Sequence, residues 1–229
     1  DIRLVSEVPL GAFLSGGVDS SAVVAMMAEL QDEPVNTCAI GFDVKQFDET
    51  EYARIVAQRY QTNHFEQKVE SEDFDLLDVL ADLYDEPYAD SSAIPTYRVC
   101  ELAKRRVTVA LSGDGGDEHF AGYRRYRWHM NEEALRSRLP LGLRKPLFGV
   151  LGKLYPKADW APRVFRAKTT FQSLARNSVE AYMHTVSHTS DEQRFALFSP
   201  ELKRALQGYR AIETLHRHAA KAGTDDALS

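Results

Sequence analysis

Of 229 residues, 44% are hydrophobic and 27% charged, the balance of an ordinary globular chain with room for one substantial core or two small ones. No apolar run approaches a membrane span and no secretory pattern opens the chain, so a membrane protein is not expected and a reducing cytoplasm is the default compartment. Cys38 and Cys100 form no C-x-x-C pair, which argues against a disulfide framework or a zinc site.

Charge is unevenly spread. Residues 1–120 hold 24 acidic against 9 basic residues, a net of −15, whereas 121–170 hold 12 basic against 3 acidic, a net of +9. Two readings stand: solvated faces on two subdomains that attract one another, or a phosphate or nucleic-acid surface at 121–170. The start at Asp1 and the end at "GTDDALS" read as the bounds of a fragment of a longer protein.

In chain order, "VPLGAFL" (8–14) is a short apolar run ending at a glycine pair, as a buried strand does. "DSSAVVAMMAEL" follows with a polar head and an apolar body, which predicts a helix packed on a sheet. "VNTCAIGF" (35–42) predicts a strand. "DETEYARIVAQRYQ" (48–61) has Ala53, Val56 and Tyr60 at helical spacing, and "NHFEQKV" (63–69) alternates like a strand. "SEDFDLLDVLADLYD" (71–85) and "SSAIPTYRVCELAKRR" (91–106) predict helices, the second with Pro95 in its first turn. "VTVALSG" (107–113) is β-branched, apolar and stopped by glycine. Alternation of this kind predicts an α/β fold, a parallel sheet with helices on both faces. Such sheets bind ligands at the carboxyl ends of their strands, where both glycine-rich loops, 15–17 and 113–116, are expected. Beyond residue 130 the chain reads as a helical region. "SVEAYMHTV", "DEQRFALF" and "ELKRALQGYRAIETLHRHAAKA" predict helices, while "LPLGLRKPLFGVLGKLYPKADWAP" reads as irregular.

The first loop, "LSGGVDSS" (14–21), is neither a Walker A loop, which needs a lysine where Val18 and Asp19 stand, nor a G-x-G-x-x-G fingerprint. Gly16 and Gly17 allow close backbone approach to a ligand, Ser15, Ser20 and Ser21 supply hydroxyl donors, and a helix N-terminus follows. Asp19 would repel a bare phosphate. A divalent cation between them removes the conflict, and Mg²⁺ is usually held by a carboxylate together with substrate phosphates. The competing reading makes Asp19 a helix cap and the glycines a turn. The second loop, "LSGDGGDEHFAGY" (111–123), repeats the logic with Asp114, Asp117 and Glu118 in one turn. They could share a metal or orient a substrate, or the last two could simply favour a helix start.

These motifs resemble a known group. S-G-G-V-D-S-S is similar to the PP-loop of the N-type ATP pyrophosphatases, and L-S-G-D-G-G-D-E to the L-S-G-E-G-x-D-E loop in the synthetase domain of glutamine-hydrolysing asparagine synthetase. The resemblance covers about residues 8–130; residues 1–130 are taken as a PP-loop core of the adenine nucleotide alpha-hydrolase-like type, with 131–229 as a truncated helical extension of the same domain. It implies a ligase: ATP is split to AMP and pyrophosphate, the aspartate β-carboxylate is adenylated, and ammonia from a glutaminase domain missing here gives the amide. By the same resemblance Leu14, Ser15, Gly16, Gly17, Asp19, Ser20, Ser21, Ile40, Ser112 and Gly113 would meet ATP. Asp19 and Asp117 would hold Mg²⁺, Asp114 and Asp117 would serve catalysis, and Asp90, Ser91 and Ser92 in "YDEPYADSSAIPTY" would meet aspartate or a similar carboxylic acid. Asp114 departs from the family's glutamate by one methylene. The family's late catalytic lysine segment finds no match. Alternatives stay open: a related PP-loop enzyme adenylating another substrate, whether β-lactam synthetase-like, another amidotransferase or tRNA-modifying, or an ATP-binding piece without turnover.

Arg124, Arg125 and Arg127 in "GYRRYRW" interleave with aromatics as in single-strand nucleic-acid binders, but nucleic acid is not the expected partner. His184 and His188 have helical spacing without the glutamate of H-E-x-x-H, and a solvated helix face is the expectation. His119 is expected to pack beside the second loop.

Overall fold

The computed structural model describes residues 2–46, 48–69, 76–86, 88, 90–156 and 167–223. The chain divides into two compact units, 1–120 and 121–229. The division falls just ahead of a helix that runs across position 130.

In the first unit, strands β1 (Leu10–Phe13), β2 (Asn36–Phe42), β3 (Asn63–Val69) and β4 (Val109–Leu111) form one parallel sheet in the order β3-β2-β1-β4. Phe13 stands opposite Cys38, and Ala12 opposite both Thr37 and Leu111. The crossovers run through α1 (Val18–Leu30), α2 (Thr50–Arg59), and the pair α3 (Leu77–Leu83) and α4 (Ala93–Lys104). The predicted helix 71–85 is described only from Leu76 onward, and the rest of it lies outside the described residues.

Period-two alternation sends successive strand residues to opposite faces. Ala12, Leu14 and Ala39 pack with Val24 and Met27 of α1 and Ala53 and Ala57 of α2. Phe13, Cys38, Phe65 and Ala110 pack on the other face with Val99, Leu102 and Ala103 of α4. Both faces are therefore covered by helices, as the sequence predicted, and near-continuous apolar strands such as "CAI" are what a doubly covered sheet requires. Cys38 is buried and Cys100 exposed, both as free thiols.

The strand order fixes where a ligand can enter. The chain moves from β1 outward to β2 and β3, then returns to place β4 on the other flank of β1. The winding reverses between β1 and β4, so their carboxyl ends flank a crevice where open α/β sheets take ligands. A four-residue helix, α5 (Gly116–His119), closes this unit.

The second unit is helical: α6 (Arg124–Arg136), α7 (Leu141–Leu154), α8 (Lys168–Leu174), α9 (Ser178–Val186), α10 (Asp191–Leu197), α11 (Pro200–Leu206) and α12 (Ile212–Ala222). No strand occurs among its described residues. Two expectations are corrected here. The stretch read as irregular contains α7, with Pro146 inside it. Its glycines and prolines disfavour a helix locally, but tertiary contacts override them. Phe148 stacks on Phe171 of α8, Tyr155 meets the same ring edge-on, and Gly152 lets the Gln172 side chain and backbone come close. The segment 201–222 read as one helix is two, because Gln207 and Gly208 take left-handed backbone (φ 48° and 84°) and stop α11.

Two arginines lie buried between these helices. Arg136 donates to Glu132, Glu133 and Ser173. Arg144 donates to the carbonyls of Leu139, Leu174 and Arg176, serving as the C-terminal cap of α8. The α9 and α10 N-termini carry reciprocal capping boxes, Asn177 with Glu180 and Ser190 with Gln193.

Candidate functional site

Both glycine-rich loops stand at the crevice between β1 and β4. The first leaves β1 through Leu14, whose side chain is core and only 1% exposed and whose N–H donates to the Cys38 carbonyl at 2.9 Å. Its N–H is therefore taken within the sheet. Ile40 lies two residues beyond Cys38 on β2 and is half-buried.

Ser15 and Ser20 brace the first loop from inside. Their hydroxyls are 2.9 Å apart, the Ser15 N–H donates to Ser20 Oγ, and the Ser20 hydroxyl lies 3.2 Å from the Gly17 carbonyl. Ser20 is buried, so its hydroxyl shapes the loop before it meets any ligand. Ser21 differs: its Oγ is buried and has no partner among the described residues. Gly16 has φ +86°, and a Cβ there would stand 2.6 Å from the Ala53 nitrogen and 2.6 Å from the Tyr52 Cβ. Any side chain at 16 would therefore be strained and would push α2 away from the loop.

Gly17 is the N-cap of α1 and offers no side chain, which puts Asp19 in the first turn rather than at the cap. The capping reading of Asp19 therefore fails, and its carboxylate goes elsewhere. It lies against the second loop. A Cβ on Gly116 would be 2.3 Å from Asp19 Cγ and 2.6 Å from its Oδ1, and one on Gly113 would be 2.7 Å from the Ser20 nitrogen. Two loops almost a hundred residues apart in the chain thus share one surface at the switch point.

The second loop carries the remaining acids. The Asp114 N–H donates to Ser112 Oγ at 3.0 Å and the residue is exposed. The Gly116 N–H donates to the Gly113 carbonyl, and Asp117 and Glu118 occupy the single turn of α5. His119, expected to pack, is exposed on the same turn. Of the other histidines set aside, His184 is half-buried on α9 with Nε2 3.3 Å from Gln172 Oε1, whereas His188 lies beyond the helix end, so the two share no helix face.

In the segment expected to meet the substrate, Asp90 Oδ1 accepts the Ser92 N–H at 2.8 Å, and the Asp90 carbonyl accepts from Ala93. Asp90 therefore braces the turn that leads into α4, while Ser91 and Asp90 line a cavity of about 740 Å³. Topology brings this segment to the same edge as the loops. The crossover helix α4 precedes a parallel strand, so its N-terminus lies at the strands' carboxyl side.

Three features went unread in the sequence. Gly116 is the residue that Asp19 touches, signalled only by the last glycine of "GDGG". Tyr52 and Ala53 form the wall behind Gly16. Asp48, at the end of the loop that leaves β2, accepts from both the N–H and the hydroxyl of Thr50, which hold its carboxyl below the usual range. Its signal was the D-x-T spacing of a helix start.

No group of three or more His, Cys, Asp or Glu suited to a metal occurs among the described residues. Mg²⁺ needs only one or two carboxylates when substrate phosphates complete its shell. The Asp19 carboxylate, held against glycine at the mouth of an anion-type loop, fits that mode. No described helix is long and apolar enough to cross a membrane.

Comparison with known proteins gives the arrangement a lineage. The family model described as asparagine synthase matches residues 1–227. The chain belongs to the asparagine synthase family. A putative glutamine-hydrolyzing asparagine synthetase 2 of Methanocaldococcus jannaschii is 51% identical over 124 residues, covering 53% of this chain and 24% of that protein. The glutamine-hydrolyzing asparagine synthetase 1 of Bacillus subtilis is 37% identical over 151 residues, covering 66% of this chain and 24% of its own length. An amidase, chry2, of Gibberella zeae is 26% identical over 204 residues, covering 76% of this chain and 30% of its own. The chain thus spans about a quarter of the length of the asparagine synthetases it matches.

Proposed function

We propose that this chain is the ATP-binding and adenylating part of an amide-forming ligase that activates the β-carboxylate of aspartate for attack by ammonia. The observation that carries the reading is the seating of Asp19 on Gly116, which joins the two glycine loops at the sheet's switch point. Membership of the asparagine synthase family supports it, and so do relatives named as asparagine synthetases.

A carboxylate resists ammonia because it is negative and has no leaving group. Adenylation changes both. A substrate carboxylate oxygen attacks the α-phosphorus of ATP, and the bond to pyrophosphate breaks. Ammonia then attacks the acyl carbon, AMP departs with the C–O bond pair, and the surplus proton leaves the new amide.

In this reading the chain mainly positions groups and neutralises charge. Backbone groups of Leu14 and Ile40 face the adenosine. The Gly16 N–H faces the phosphates and the unpartnered Ser21 hydroxyl adds a donor, while the Ser15 and Gly17 N–H groups, which donate to Ser20 Oγ and Ser15 Oγ, hold the loop in shape with Ser20. Ser112 and Gly113 close the other side. Asp19 and Asp117 would hold Mg²⁺, which when bound offsets the phosphate charge. Asp114 faces the acyl-adenylate, and Asp90, Ser91 and Ser92 lie on the substrate side. The relatives' names imply a glutaminase domain as the source of ammonia.

The test is aspartate-dependent pyrophosphate release from Mg-ATP, with and without ammonium. Release that needs aspartate and disappears in Asp19→Asn supports the reading. Release indifferent to aspartate, or to Asp19, removes it. Substituting other carboxylic acids for aspartate in this assay separates it from a second reading, in which the same loops activate a different acid.

A further inference from the structure

We propose that the cavity walled by α9, α10 and the start of α12 binds a free α-amino acid with an aliphatic side chain, its carboxylate on Arg176 and its ammonium group on Glu180. The site lies wholly in the second unit and does not depend on the glycine loops or on the reading given to them.

The cavity measures about 350 Å³, at the small end of the range for small-molecule sites. Most of the charge around it is already neutralised. Asp191 pairs with Arg194 and, at 3.1 Å, with Arg210, and Arg210 also reaches Glu192 at 3.5 Å. These two cations and two anions cancel. They also tie α12 to α10, because the Arg210 N–H donates to Glu213 in the first turn of α12. Both α9 and α10 begin with capping boxes, so the walls are formed before a ligand arrives.

Two lining charges remain, Arg176 and Glu180, both half-buried, and neither forms an ion pair with a described residue. They are four residues apart but do not meet, because each is pinned. Arg176 donates to the Gln172 carbonyl, and Glu180 Oε2 accepts the Asn177 N–H at 3.2 Å. Each keeps capacity to spare: further guanidinium N–H groups on one, a second carboxylate oxygen on the other. His184, kept below the ordinary histidine range by burial and by Arg176, lines the cavity as a neutral ring, and the exposed His188 lines it too. A fixed positive and a fixed negative group held apart complement a zwitterion. A simple anion would meet Glu180 and a simple cation Arg176, each unfavourably. Met183 and Ile212, both half-buried, offer apolar contact to the side chain of the ligand.

The experiment is calorimetric titration of the whole chain, without nucleotide, with leucine, leucinamide, N-acetylleucine and glycine. The last three lack, in turn, the carboxylate, the ammonium group and the aliphatic side chain. Leucine should bind at least about ten-fold tighter than each of them. Arg176→Met should make leucine and leucinamide bind alike, and Glu180→Gln should make leucine and N-acetylleucine bind alike. Glutamine still completes the capping box, so the second variant keeps the fold and carries the test even if the first does not; circular dichroism checks both. Leucine binding no tighter than any one of the three analogues overturns the proposal. So does a preference unchanged in Glu180→Gln, or no leucine binding up to about 50 mM, a concentration that would reveal even a weak millimolar site.

Discussion

The Asp19 carboxylate rests directly on the backbone of Gly116, with no room between them for a methyl group. One residue lies in the first turn of α1 and the other opens α5, and they meet because β1 and β4 are neighbours in the sheet. A glycine at 116 is thus a requirement of the acid at 19.

Two substitutions separate the space from the charge. Gly116→Ala should displace the Asp19 side chain and destabilise the first unit by about 1–3 kcal/mol, the usual range for forcing one methyl into a filled site. Asp19→Asn keeps the shape, so the melting temperature should hold while Mg-nucleotide affinity falls. Thermal melts and nucleotide titration with and without Mg²⁺ measure both. Unchanged Mg-nucleotide affinity in Asp19→Asn would remove the carboxylate from the metal's shell.

Asp114 tests the chemistry without disturbing the loop. Its N–H already braces the turn through Ser112 Oγ, and its side chain is exposed. Asp114→Asn should therefore leave ATP affinity within about two-fold and lower turnover by roughly 10²-fold, the scale of losing one electrostatic contribution to a transition state. Steady-state pyrophosphate release, split into kcat and KM, reads this directly. A matching loss in ATP affinity would make Asp114 a binding group.

Much of this site was legible because its signals are local. Glycine pairs and serines within a few residues of an apolar strand mark an anion loop wherever the chain goes afterwards, and the strands 36–42 and 63–69 lie within a residue of where a β-rich run and an alternating one put them. The partner of Asp19 was not legible, since contact between residues 19 and 116 depends on the strand order. In the second unit the same distinction produced the misreadings. Pro146 and three glycines disfavour a helix locally, whereas α7 is held by Phe171 and Gln172, which lie beyond the next segment. The break at Gln207–Gly208 went unread because amphipathic spacing continues across it.

Three histidines set the acid limit of stability. Burial pushes His64, His129 and His184 below the ordinary histidine range, with cationic Arg136 adding to the shift at His129 and Arg176 at His184. Unfolded histidine takes up its proton near about pH 6.5. As pH falls through that value the unfolded chain binds protons that the folded chain refuses, so stability is fully present above it and declines below. The urea midpoint should therefore drop between pH 7.5 and 5. His129→Asn should flatten the slope if the Ser178 hydroxyl, 3.0 Å from His129 Nε2, keeps a neutral partner.

Arg144 tests whether the second unit is held by polar capping as well as by apolar packing. Its guanidinium is buried and reaches three carbonyls, of Leu139, Leu174 and Arg176, at the junction of α7 and α8. Burial pushes its pKa down, and the neighbouring Arg136 adds to that, yet an arginine keeps its charge at any working pH. Arg144→Met fills similar volume but gives those carbonyls no donor. Each buried group left unsatisfied costs about 1–3 kcal/mol, and partial solvation at the helix end lowers the sum, so a loss of roughly 2–4 kcal/mol is expected. Arg144→Lys should recover only part of it, because one ammonium cannot match the planar fork. Denaturant unfolding of the whole chain measures the series. A methionine variant as stable as the parent would mean that Phe148, Tyr155 and Phe171 alone hold the two helices together.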